Sequence, residues 1–137
     1  MLGRKTFTQD ELDHGRALVG EQLAAYDTLV QATADTAARE AFEPLFFNNL
    51  TLALDRCFVH RLRSVTGKDS NALNEVELIV ESLLNNDGVL RGNNVIKYVP
   101  AQTAAKLEIG DTIRLRAEQF ERLSAAFLAE IESRFVG

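Results

Sequence analysis

Arg56 and His60 stand four residues apart in the stretch LALDRCFVHRLR, residues 52–63, and Asp55 immediately precedes the arginine. A histidine is suited to general acid–base work near neutral pH, and a neighbouring arginine can clamp a phosphate or an oxyanion. With Asp55 or Glu75 orienting the imidazole, these residue types fit a hydrolase acting on a phosphoester. On a helix, Asn49, Arg56, His60 and Arg63 fall at i, i+7, i+11 and i+14 and share one face. A second use for that face is an anionic partner, or a small anionic ligand held between this helix and the next by Asn49, Arg63 and Asn74.

A third reading is structural, and it is the one the sequence favours. If this helix and the following one form an antiparallel hairpin about SVTGKD, equal rise per residue fixes which positions face each other. With Arg63 opposite Ser70 or Asn71, His60 falls near Asn74, Arg56 near Glu77 and Ala53 near Glu81. Asn74, Glu77 and Glu81 form one polar stripe at i, i+3 and i+7. A basic stripe against an acidic one contributes only about 0–1 kcal/mol per exposed pair, but it fixes register between apolar helices.

An arginine and a histidine on one helix also resemble the pattern of HEPN-type ribonucleases. That family places four residues between the two, where Arg56 and His60 have three, so no residue role is carried over.

Metal chemistry finds less to use. His14 shares a face with Asp10, and His60 could join Glu75, Glu77 and Glu81, but such carboxylate spacings ordinarily mark a solvated helix face. Neither histidine has glutamate three residues before it, as a di-iron bundle requires. Cys57 is the only cysteine, which rules out an internal disulfide and a cysteine-based zinc site. No metal or cofactor is expected. GRALVGEQ, residues 15–22, has two glycines at phosphate-loop separation but neither the following Lys-Ser/Thr nor a preceding strand. The sequon Asn49-Leu50-Thr51 sits in an apolar helix and carries no weight.

The elements that must position these residues follow from periodicity. Thr8-Gln9-Asp10-Glu11 has the form of a capping box. Behind it Leu12, Val19, Leu23, Tyr26 and Val30 make one apolar stripe of roughly six turns. Pro44 suggests a second helix start, and residues 43–64 are expected to form a central helix, apolar on most sides. Asp69 or Ser70 is the expected cap of a third helix carrying Leu73, Val76, Val80, Leu83 and Leu84, stopped near Gly88. Residues 89–99, with Arg91-Gly92-Asn93-Asn94 as the turn, read as a β-hairpin, and 107–115 as a further turn and strand. A last helix over 117–135 has Phe120, Leu123, Phe127, Ile131 and Phe135 on one side.

The expected fold is therefore α+β and predominantly helical, with about four helices in a bundle and a small antiparallel sheet before the last. The 137 residues, 46% hydrophobic and 26% charged, fit a single domain over 1–137 with a flexible stretch at 1–7. A formal charge of −5 disfavours nucleic acid, and no apolar run is long enough to span a bilayer. A cytoplasmic protein is the default expectation. So much apolar helix surface in a small domain points to a second copy, making a non-enzymatic homodimerising interaction module the leading functional expectation.

Overall fold

The computed structural model describes residues 3–137. Thr8 and Glu11 form the expected capping box, and α1 runs Gln9–Gln31. Leu12, Val19 and Tyr26 of its stripe are buried. Gly15 is also buried: a Cβ there would lie 2.7 Å from the ring of Phe58, so the helix can meet that ring only as glycine. What reads in sequence as a weak point is a close approach.

The second helix, α2, runs Thr36–Arg56 rather than over 43–64. Asp35 caps it by accepting from the Ala38 amide, and the alanine-rich stretch supplies the first turns. Pro44 consequently sits inside the helix. At the other end Phe58 is fully buried, edge-on to Phe7 at 5.2 Å and beside Phe127 at 5.8 Å. Burying that ring turns the chain, with the Phe58 amide donating back to the Asp55 carbonyl. His60 then takes a positive φ of 61°, a conformation that costs a non-glycine residue about 1 kcal/mol. The strained residue is gripped from outside: the Arg4 amide donates to the His60 carbonyl and the Leu62 amide to the Arg4 carbonyl.

A short helix, α3 (Arg63–Thr66), leads through Gly67 to α4 (Ala72–Asn85). Asn71 is the cap of α4, accepting from the Asn74 amide, in place of the expected Asp69 or Ser70. The central helix is α4, whose residues 72–76 are all buried. It packs on α2 and on α5 (Ala117–Phe135), and α1 packs on the same two neighbours. All five apolar residues expected on α5 are buried.

The expected antiparallel sheet is not there. Among the described residues five α-helices and one 3₁₀ turn, Pro100–Gln102, are formed, and no strand. Two isolated bridges occur, Arg4 with Arg61 and Val89 with Thr112. The Asn93 side chain accepts from the Val95 and Ile96 amides and so takes the donors a hairpin ladder would need. The Lys97 amide instead reaches the Lys68 carbonyl, and the Val99 amide reaches Ser70 Oγ. Leu90 exchanges bonds with Gly110 and Asp111 across the segment, not with the nearby 95–99. Residues 86–116 thus form a long irregular segment, pinned by buried Leu90, Ile96, Ala105, Ile113 and Leu115. The fold is helical, not α+β.

Of the stretch expected to be flexible, residues 1 and 2 lie outside the described ones. Phe7 is buried against Phe135, and its amide donates to the Phe135 carbonyl at 3.0 Å. Arg4 makes a two-bond pair with Glu11, which draws that carboxyl down to about 2.

Candidate functional site

The stretch richest in chemical groups ends α2 and enters α3, and the early end of α2 decides its geometry. His60 and Arg56 are both exposed. Arg56 does not line the shallow cleft of about 310 Å³ formed by Asp55, Val59, His60, Arg61 and Glu77. Its place beside the histidine is taken by Arg61, whose buried guanidinium donates to Asp55 Oδ1 and the Phe58 carbonyl, both at 3.0 Å. The same guanidinium lies 5.1 Å from the centre of the Phe127 ring, and its Nε has no acceptor.

The expected pairs, His60 with Asn74 and Arg56 with Glu77, are not formed. Arg63 makes both contacts. One of its nitrogens donates to Asn74 Oδ1 at 2.8 Å and to the Gly67 carbonyl at 3.0 Å. The other donates to both Glu77 oxygens, at 2.7 and 2.6 Å. The equal-rise count assumed a continuous helix through Ser64; a turn at 57–62 moves the basic partner along the chain. These bonds join α3 to α4, so the expected seam of Arg56 and His60 along helix two is not formed.

The remaining candidates are dispersed. Asn49 is exposed, whereas its neighbour Asn48 is the working amide. Asn48 donates to the Ile113 carbonyl and accepts from the Leu115 amide, as a neighbouring strand would. Glu75 does not line the His60 cleft and accepts from the Ala104 and Ala105 amides, each at 2.8 Å. Burial pushes its carboxyl above the ordinary range, against the pull of those two amides. Among the described residues no group of three His, Cys, Asp or Glu is placed to hold a metal.

A second region went unnoticed in the sequence. Where the end of α1 meets the start of α2, Tyr26, Phe42 and Phe46 stack nearly parallel, with centroids 5.3–6.5 Å apart. Tyr26 and Phe42 border an open groove of about 330 Å³ lined mainly by apolar side chains, among them Leu29, Val30 and Ala38, with Arg39 at its edge. Beneath it lies buried Glu43, which accepts from the Tyr26 hydroxyl, from Arg116 Nε at 2.8 Å and from the Ala117 amide at 3.1 Å. Burial alone would raise the Glu43 carboxyl, but the bonds from Arg116, Tyr26 and Ala117 bring it below the ordinary range. Burial and the contact with Glu43 push the Tyr26 hydroxyl up. The one signal in the sequence that points to it is the spacing of Phe42 and Phe46, four residues apart and so on one helix face.

No protein-family model, curated protein or solved structure matches this chain. Among the described residues no helix is long and apolar enough to cross a membrane.

Proposed function

We propose that this protein is a small non-enzymatic helical interaction module, acting in the cytoplasm, that pairs with a second copy of itself. The observation that supports this is the open apolar face of the α1–α2 hairpin, where Leu29, Phe42 and Leu45 are 52%, 39% and 68% exposed. Large apolar side chains grouped beside a stacked aromatic platform are the surface that interfaces bury. The rim carries both signs, with Arg39 among the exposed acids Asp27, Asp35 and Glu40. A two-fold axis through the face sets the basic residue of one copy toward the acidic residues of the other, which favours a second copy as occupant.

The hydrolase reading centred on His60 and Arg56 draws less support. The guanidiniums that would clamp an anion in that cleft, Arg61 and Arg63, are engaged by Asp55 and Glu77. The same pairing weighs against a small anionic ligand between α2 and α4.

Sedimentation equilibrium at micromolar concentration tests the proposal. The wild type is expected to be a dimer, and the double variant Phe42→Ser, Leu45→Ser a folded monomer. A wild type that stays monomeric as its concentration is raised removes the homodimer.

A further inference from the structure

Within a single copy, the groove inside this face holds a guanidinium with no hydrogen-bonded partner among the described residues. The Arg39 side chain makes no hydrogen bond among the described residues, although its main-chain amide donates to the Asp35 carbonyl. Its Nε is shut off from solvent without an acceptor, 3.6 Å from Glu43 Oε2 and so beyond hydrogen-bond reach, while its side chain is 40% exposed at the groove mouth. Glu43 already holds Arg116, Ala117 and Tyr26. One carboxylate therefore serves two guanidiniums, and the one beside the groove has only a 3.6 Å ion pair, with no hydrogen bond from its side-chain N–H groups among the described residues. Asp35, one turn earlier, faces the Ala38 amide as the helix cap and does not come within ion-pair distance of Arg39.

An apolar trough with a single cation at its edge complements a ligand with an apolar body and one anionic head. A purely apolar occupant would leave the outer guanidinium N–H groups without an acceptor, and a bare anion would leave Tyr26, Leu29, Val30 and Phe42 uncovered. A planar guanidinium with free N–H groups also matches the two oxygens of a carboxylate. We propose that this groove binds a small apolar monocarboxylate, its head on Arg39 and its hydrocarbon body along Tyr26 and Phe42. The site uses part of the self-association face but does not rest on self-association; a bound acid competes with the second copy.

Decanoate is the probe, with decan-1-ol as its uncharged counterpart, followed by calorimetry and by methyl NMR of Leu29, Val30 and Ala38. Saturable decanoate binding is expected, with shifts confined to those methyls. Decan-1-ol on the wild type and decanoate on Arg39→Gln are both expected to bind at least about tenfold more weakly. Arg39→Lys, which keeps the charge but loses the two-pronged fork, is expected to bind with an affinity between those of the wild type and Arg39→Gln. Absence of saturable decanoate binding overturns the inference, as does equal affinity for decanoate and decan-1-ol, a comparison that needs no variant. Sedimentation of the same samples separates the two proposals. A dimer indifferent to decanoate sinks the carboxylate site and leaves the homodimer, whereas a monomer that binds decanoate does the reverse.

Discussion

Glu43 and Glu75 are buried to a similar degree, 4% and 1% exposed, yet their surroundings differ in kind. Glu43 meets a guanidinium, a tyrosine hydroxyl and the first amide of α5, and its carboxyl is held below the ordinary range. Glu75 meets two backbone amides and, among the described residues, no cation within ion-pair distance, and its carboxyl is pushed above that range. The first ties helix to helix through charge. The second holds an irregular segment on the central helix by filling hydrogen bonds that secondary structure would otherwise fill. Burial alone thus says little about what a carboxylate does; its donors decide.

The comparison breaks first at Glu75. Glu75→Ala strands the Ala104 and Ala105 amides without an acceptor, and calorimetric unfolding is expected to show a loss of about 3 kcal/mol or more. A loss under about 1 kcal/mol would mean that water replaces the carboxylate and that the segment is not pinned there. Glu43→Ala is expected to cost less, about 2 kcal/mol, because Arg116 and Arg39 are partly exposed and water recovers part of their bonding. If it costs more than Glu75→Ala, the charge network is the stronger tie and the ranking is wrong.

The subtlest difference lies in pH dependence. Glu43, with its folded value depressed, contributes stability that is present above the ordinary carboxylate range and lost as pH falls through that folded value. Glu75, with its folded value raised, contributes stability that is full below the ordinary range and lost as pH rises through its folded value. Urea midpoints from acid to neutral pH should therefore move in opposite directions. Relative to wild type, Glu75→Gln gains as pH rises and Glu43→Gln loses. Parallel slopes for the two variants would refute the contrast.

How far the sequence could be read varies with how local the determinant is. The capping box at Thr8 and Glu11, and the apolar side of α5, depend on spacings within one helix, and both were legible. The hairpin was misread because Asn93 turns its own amide neighbours inward, and because the alternating 95–99 run finds its partners at Lys68 and Ser70. Helix two lies earlier in the chain than its apolar pattern suggests, because what ends it, Phe58, is a packing demand set by Gly15, Phe7 and Phe127. That one turn put Arg63 where Arg56 was expected. Glu43 was invisible as a node because its partners come from sequence positions 26, 116 and 117. Arg39, whose side chain has only a 3.6 Å ion pair with Glu43 among the described residues, stands out only once those partners are known.

The irregular segment over 86–116 has a kinetic consequence. Its tethers close long spans: Glu75 bonds residues 29 and 30 positions away, and Asn48 bonds residues 65 and 67 positions away. Helices form within about a microsecond, but a tether of this span gains nothing until both of its ends are in place. These bonds therefore belong to the last step of folding, and weakening one hastens unfolding more than it slows refolding. The helices govern how fast the molecule folds, and the segment between α4 and α5 governs how long it stays folded.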